Sequence, residues 1–292
     1  MITVLGSYNK DIYIMIDHFP LSGETVFIKD IKYFHGGKGS NQAVSARRLG
    51  ISTTFLGAVG DDQFGREALE FWKEEGVIAD NVKIKKGVST GTAYIILNQN
   101  GESQILVNRG ANASLSVDDV KEALKGDILL TQLEINEEVV KYSLKSFDGL
   151  KILNPAPANL IDPEIFSYVD ILTPNDIEIH ELIQNDDIVG GAQSLLNKVK
   201  KAVIITLGDR GALIVLKDRT IHIEAPKVPV IDETGAGDVF NAALAVYLTK
   251  GYSIEEATRL AVYIASFSVT KMGALGPKID EVRPFLEEKG LI

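Results

Sequence analysis

The sequence predicts an α/β fold: a three-layer sandwich built on a parallel sheet, with a small second β-sheet inserted into it. Three observations carry this prediction. Short, continuously apolar runs such as 127–133 and 202–207 alternate with helical patterns, as strands buried on both faces of a parallel sheet do. Two pairs of β-prone runs, 11–17 with 26–34 and 92–98 with 103–108, have no helix between their members and stand outside that alternation. Polar clusters also follow strands, at Glu134, Asn154-Pro155, Pro174-Asn175, Gly208-Asp209 and Asp232 to Asp238, where open α/β sheets bind ligands. Each cluster read singly is equally an ordinary turn.

In chain order, residues 2–6 read as a short buried strand ending at Gly6. The runs 11–17 and 26–34, separated by Pro20 and Gly23, form the first strand pair. Helical patterns at 41–49 and 64–75 are closed by Gly50 and Gly76, with a strand at 53–59 between them. The second pair is joined through Asn100-Gly101, a hairpin dipeptide. Strands follow at 127–133, 151–153, 169–172, 202–207 and 212–216, with helical patterns near 117–124, 137–146 and 191–200. Three helical segments, 238–250, 254–270 and 281–289, close the chain.

With 292 residues, 45% of them hydrophobic and 24% charged, the chain has the composition of a soluble globular protein with a sizeable core. A net charge of −10 and a pI near 5.0 argue against nucleic acid or an anionic membrane as the main partner. The absence of cysteine excludes disulfides, thiolate metal sites and cysteine nucleophiles. A strand opening at Ile2 leaves no room for a signal peptide, and no apolar run is long enough to span a bilayer, so the expectation is a cytoplasmic protein.

The chemistry concentrates in Asp232-Glu233-Thr234-Gly235-Ala236-Gly237-Asp238, which runs into an apolar helical stretch. A bare loop at a helix start presents unpaired N–H groups and the positive end of the helix dipole to an anion. Asp238 at its lip fits two readings. It is a helix cap, or it is a base that takes a proton from a hydroxyl while the N–H groups hold a transferred phosphate. Gly36-Gly37-Lys38-Gly39-Ser40-Asn41 also precedes a helix, but Gly39 separates Lys38 from Ser40, so it is no Walker A loop. Gly6 opens no dinucleotide fingerprint, which argues against a nicotinamide dehydrogenase. Lys38 and Asn41 are donors suited to a hydroxyl-rich ligand, with Asp11 and Glu134 as acceptors; a solvated lysine and a capping asparagine are the plain alternative. Asn175 and Glu178, three residues apart, could organise Mg²⁺ through water or simply cap a helix. His18, His35, His180 and His222 show no ligand spacing.

Taken in order, several motifs form one pattern. They are Gly6-Ser7-Tyr8-Asn9-Lys10-Asp11, residues 20–26, Gly36 to Ala43, Gly60-Asp61-Asp62-Gln63-Phe64-Gly65, Gly110-Ala111-Asn112-Ala113 and Gln132-Leu133-Glu134. Asn154-Pro155-Ala156-Pro157-Ala158, Thr173-Pro174-Asn175, Thr206 to Gly211 and Asp232 to Asp238 complete it. This ordered set, running nearly end to end, resembles the ribokinase-like (PfkB) family of sugar and nucleoside kinases, its ribokinase branch most of all.

The resemblance implies an ATP- and Mg²⁺-dependent kinase acting on the primary hydroxyl of a pentose, D-ribose to ribose 5-phosphate. A kinase for a nucleoside or another sugar is the alternative, and a sugar-binding protein without catalysis a more distant one. It implies Asp238 as the base and the amides of Gly235, Ala236 and Gly237 as the anion hole. Asn9, Asp11, Gly37, Lys38, Asn41 and Glu134 would hold the sugar. Asn175 with Thr206, Gly208, Asp209 and Gly211 would line the nucleotide, which Gly237 would also touch, and Glu178 would place Mg²⁺. Asp232 and Thr234, with backbone oxygens near Ser268, Lys271 and Gly273, match a K⁺ site. Residues 11–34 and 91–108 would form a β-sheet lid pairing two subunits as a homodimer, on a core of residues 1–10, 35–90 and 109–292. Four departures stand out. Glu233 adds a charge to the loop, Pro277 offers only a carbonyl where many members contact the cation through a hydroxyl, and Tyr8 and Lys10 replace commoner apolar residues.

Overall fold

The computed structural model describes residues 1–158, 161–183 and 187–292. Its elements run β1 (Ile2–Leu5), β2 (Asn9–Met15), β3 (Asp30–Gly36), α1 (Lys38–Arg48), β4 (Thr53–Leu56), β5 (Ala58–Gly60), α2 (Gln63–Glu75) and β6 (Lys83–Lys85). Next come β7 (Thr92–Leu97), β8 (Ser103–Asn108), α3 (Val117–Val120), β9 (Ile128–Thr131), α4 (Glu137–Ser146), β10 (Leu150–Leu153), β11 (Ile171–Leu172), α5 (Asp176–Ile183) and α6 (Ile188–Leu196). The chain closes with β12 (Ala202–Thr206), β13 (Ala212–Val215), β14 (Thr220–Ile223), α7 (Ala236–Thr249), α8 (Ile254–Ser268) and α9 (Ile279–Glu288).

Alternation along the strands makes the layers. In β9, Ile128 and Leu130 join one core with α1, α7 and α8, while Leu129 joins the other with α4 and α6. The main sheet has the order β14-β13-β12-β11-β10-β9-β1-β4. It is parallel from β4 to β12 and antiparallel at β12–β13 and β13–β14. Residues 212–216, expected among the parallel strands, therefore return beside β12 through a tight turn at Gly208–Arg210. Gly211, at φ 90°, closes that turn, and a Cβ there would lie 1.9 Å from the Ile223 carbonyl.

The expected strand 53–59 divides at Gly57. Its second half, β5, leaves the main sheet and pairs with β6, whose half-exposed lysines gave no strand pattern to read. The helix expected over 117–124 is only the four residues of α3, held by a Ser116–Asp119 capping box. The four irregular strands do form a separate sheet, in the order β3-β2-β7-β8. Its two hairpins meet through a parallel β2–β7 pairing. This small sheet leaves from the carboxyl end of β1 and exposes much of its apolar surface, with Ile105 and Leu106 at 61%; Phe27, in the loop joining β2 to β3, is 85% exposed.

Candidate active site

Asp238 occupies the first turn of α7, whose N-cap is Gly235 in the left-handed conformation, φ 75°. A Cβ on Gly235 would lie 2.3 Å from the Ala274 carbonyl, so that glycine is dictated by the fold. A Cβ on Gly237 meets nothing within 4 Å, so backbone space does not explain that glycine. Asp238 does not cap α7. Its side chain turns inward, where Asn41 Nδ2 donates to one carboxylate oxygen at 3.0 Å and Gln42 Nε2 to the other at 2.9 Å. Burial pushes its carboxyl above the ordinary range, against the pull of the Lys38 ammonium and the two amides.

A further polar chain supports that clamp. Gln42 Nε2 also donates to Asn154 Oδ1 at 3.2 Å, and Gln132 Nε2 donates to Gln42 Oε1. Asn154 donates to the Thr173 carbonyl at 3.1 Å, Thr173 donates to Asn241, and Asn241 donates to the Gly237 carbonyl at 2.9 Å. The loop ahead of α7 is thereby tied to the ends of β10 and β11. Beside it lies a pocket of about 200 Å³, lined by Lys38, Asn175, Glu178, Thr206, Gly235–Gly237 and Asp238, among others. Ala236 N–H donates to the Glu233 carbonyl at 3.2 Å, whereas Gly237 N–H has no backbone partner among the described residues. Of the three expected anion-hole amides, those of Gly235 and Gly237 donate to no backbone partner among the described residues, and that of Ala236 is already engaged.

The expected hydroxyl-binding residues converge on the other side of Asp238. Glu134 accepts from Ser7 Oγ and, at 3.0 Å, from the Lys38 backbone N–H. Asn9 is buried, its Oδ1 taking an N–H from Asn112 at 3.0 Å. Burial, with the Glu134 and Asp238 charges, pushes Asp11 up to about 7. Desolvation alone would lower the pKa of the half-buried Lys38, yet Asp238, Glu134 and Glu178 together raise it. Asn41 Oδ1 is buried and unpartnered, an acceptor awaiting a donor. Asn9 and Glu134 also face a cleft of about 690 Å³ that runs on to Arg109 and Asn136.

The glycines of the 36–39 loop have a packing reason. Cβ atoms on Gly37 and Gly39 would lie 2.7 Å and 2.6 Å from the backbone nitrogens of Asn9 and Ser7. A Cβ on Gly36 would strike the Asp11 carboxylate at 2.1 Å. The start of α1 thus rests directly on the chain between β1 and β2.

Asn175 and Glu178 form a reciprocal cap, Glu178 N–H to Asn175 Oδ1 at 2.7 Å and Asn175 N–H to Glu178 Oε2 at 2.9 Å. The capping reading of that pair is realised, and Glu178 lines the 200 Å³ pocket as well. Thr206 reaches the same pocket, whereas Gly208 and Asp209 lie in the exposed turn beyond it and Gly211 is buried as its closing residue. Asp232 accepts from Thr234 N–H at 3.0 Å and Gly273 N–H at 2.9 Å. Partial burial opposes ionisation there, but these bonds hold its pKa below the ordinary value. Its own N–H donates to the Val269 carbonyl, and the Ser268 carbonyl accepts from Lys271 N–H. Asp232, Thr234 and the 268–273 turn are therefore one packed unit. Among the described residues no group of three or more His, Asp or Glu side chains gathers as a metal cluster.

Gln42, Gln132, Asn154, Thr173 and Asn241 were not expected as site residues. All but Asn241 stand inside motifs, but the link to Asp238, 196 positions from Gln42, shows only in space.

Residues 1–281 match the pattern of the pfkB family carbohydrate kinases. Ribokinase of Bacillus subtilis is 37% identical, covering 98% of this chain and 99% of its own. Deoxyribokinase of Salmonella typhi is 33% identical, with 98% coverage of each. Among solved structures, ribokinase of Thermotoga maritima superposes with a TM-score of 0.93 at 37% identity, covering 98% and 99%. Ribokinase of Arabidopsis thaliana, complexed with ribose and ATP, gives 0.90 at 31% identity and 98% of each chain.

Proposed function

The chain belongs to the pfkB family of carbohydrate kinases, and we propose that it transfers the γ-phosphoryl group of ATP to the primary hydroxyl of D-ribose. The products are ribose 5-phosphate and ADP. The observation that carries this reading is the Asp238 carboxylate, buried, clamped by two amides and lining a pocket of about 200 Å³ at the start of α7. The acceptor hydroxyl gives its proton to an Asp238 oxygen as that hydroxyl oxygen attacks the γ-phosphorus. The bond from that phosphorus to the β–γ bridging oxygen breaks, and ADP leaves. Gly237 N–H, the α7 dipole and Lys38 stabilise the charge growing on the phosphoryl oxygens; Gly235 shapes the loop, and Ala236 joins only by yielding its bond to Glu233.

Asn9, Asp11, Lys38, Asn41 and Glu134, with Gly37 giving backbone access, hold the sugar. The unpartnered Asn41 Oδ1 supports this role, since a sugar hydroxyl would satisfy it. Asn175, Thr206, Gly208, Asp209 and Gly211 border the nucleotide. Glu178 alone suits Mg²⁺ held through water, an ion that takes one carboxylate and otherwise phosphates; it would neutralise phosphate charge. Asp232, Thr234 and the carbonyls of Ser268, Lys271 and Gly273 supply hard oxygen donors suited to K⁺. The small sheet is the lid over the sugar, and its exposed apolar residues, Leu106 included, with Phe27 in the loop joining β2 to β3, suit a second copy as a homodimer. No helix among the described residues is long and apolar enough to cross a membrane, and a cytoplasmic site fits a sugar and ATP as substrates.

The test is ADP release with ATP and Mg²⁺ across ribose, deoxyribose, fructose, adenosine, inosine and uridine, each with and without K⁺. Ribose is expected to give the highest kcat/KM. A deoxyribose or nucleoside preference would overturn the acceptor assignment while leaving the Asp238 chemistry standing.

A further inference from the structure

Where β2 leaves the core, its side chains alternate between two faces. Asn9 lines the cleft and Asp11 shares its face, near Glu134 and Asp238, while Tyr8 and Lys10 point away from it, toward α2. Lys10 is only 6% exposed, an unusual state for an ammonium unless it is paired. Its Nζ lies 2.7 Å from Glu67 Oε2 and 5.7 Å from the centre of the Phe64 ring. The cross-strand neighbour of Lys10 is His35, which stacks on Phe71 at 4.0 Å with planes 5° apart. His35 Nδ1 shares a 2.8 Å hydrogen bond with the Tyr8 hydroxyl. Phe64, Glu67 and Phe71 form one stripe of α2, and each touches the root of the small sheet.

This cluster does no chemistry on either substrate. Its position gives it another effect. On the cleft side the strand that carries Asn9 and Asp11 is tied at its root by Asn112, which bonds the Tyr8 backbone and Asn9 Oδ1, while Gly36, Gly37 and Gly91 let neighbouring backbone pack directly against it. The contacts with α2 hold it from the opposite face.

We propose that Lys10, with Glu67 as its partner, is a positioning residue: it pins the root of the small sheet to α2 and so holds Asn9 and Asp11 at the distance the acceptor requires. The inference rests on the kinase reading for its kinetic consequence, but its mechanical part stands without it. Lys10 and its partners set acceptor affinity, while the phosphoryl pocket, built on α7, does not depend on them.

Lys10→Met keeps the buried stem and removes the charge, leaving Glu67 free to turn to solvent, so the fold should survive. The expected result is an acceptor KM raised about tenfold, with kcat and the KM for ATP changed less than about twofold. Lys10→Arg should recover most of the loss. Glu67→Gln, which strands a buried ammonium, should match the KM effect and also lower Tm. Hydrogen exchange without substrates gives a separate readout: amides of β2 and β3 should exchange faster in Lys10→Met, and those of α7 should not. An unchanged acceptor KM in an active Lys10→Met enzyme would overturn the proposal. If the wild-type protein phosphorylates none of the sugars, the kinase reading fails and exchange alone decides. Equal protection of β2 and β3 in both proteins then refutes the pinning as well.

Discussion

The two sides of the candidate site are built differently. The phosphoryl side is embedded in the core: Asp238, Gln42, Gln132, Asn154 and Thr173 are buried and joined by hydrogen bonds across the ends of three strands and two helices. The acceptor side lies half on a small sheet whose outer strand β8 is exposed along its whole length. A group that must meet a developing charge works best when fixed beforehand, because no energy is then spent arranging it at the moment of reaction. A surface that must admit a substrate and then exclude water works only if it can move. The contrast assigns turnover to one side and acceptor affinity to the other.

The sharpest way to break that contrast is Asp238→Asn. It should lower kcat about 10²–10⁴-fold with little change in acceptor binding by calorimetry. The wild-type rate should also fall on the acid side at a pH above the ordinary carboxylate range, since burial raises the pKa of this base. Near-normal turnover in the variant would remove Asp238 from the mechanism. The next largest effect should come from Gly237→Ala. No atom lies within 4 Å of the added methyl and alanine favours helix, so Tm should hold or rise slightly, by about 0.5–1 kcal/mol of stability. That methyl fills the anion pocket, and kcat/KM for ATP should drop about 10–100-fold. A stable, fully active Gly237→Ala would show that the pocket is not where the phosphate sits.

On the acceptor side, Gly36→Ala forces the Asp11 carboxylate aside, because the new Cβ would stand 2.1 Å from it. Acceptor KM should rise about tenfold while kcat stays within about twofold; a fall in kcat alone would erase the division of labour. The smallest effect concerns stability. Asp11 is raised from 3.8 to about 7, so the folded protein holds its proton more tightly than the unfolded chain does. Its contribution is fully present below about pH 4 and is lost as pH rises toward 7. Asp11→Asn should therefore gain about 1–2 kcal/mol over wild type at pH 8 and nearly nothing at pH 4, read from denaturant midpoints. An equal gain at both pH values would mean that the charge of Asp11 is not what costs stability.

Much of this was legible in the sequence because it depends on local chemistry. The bare Gly235-Ala236-Gly237 loop before an apolar helix, the two strand pairs and the alternating apolar strands are patterns of short sequence range. What escaped depends on distance in space. Gln42 and Asn154 are ordinary amides until the fold brings Gln42 between Asn154 and Asp238. The reversal of β13 escaped because a buried strand has the same apolar pattern in either direction; only the tight turn before it, closed by Gly211, distinguishes them. The break at Gly57 left no trace, since β4 and β5 are equally buried. Gly237 and Gly235 look alike in sequence, and only the space around each separates a glycine required by packing from one whose bareness faces a pocket.

The strand order of the main sheet has a consequence for synthesis. β1 lies between β4 and β9, and the small sheet uses residues no later than Asn108, whereas β9 starts at Ile128. A chain emerging from the ribosome therefore completes the small sheet while β1 is paired on one side only. During that interval an open parallel edge and an uncovered apolar face are displayed together, the combination that recruits strands of neighbouring chains. Soluble yield is accordingly expected to follow the supply of nascent-chain chaperones more closely than the stability of the finished protein, which expression with and without added chaperone would measure.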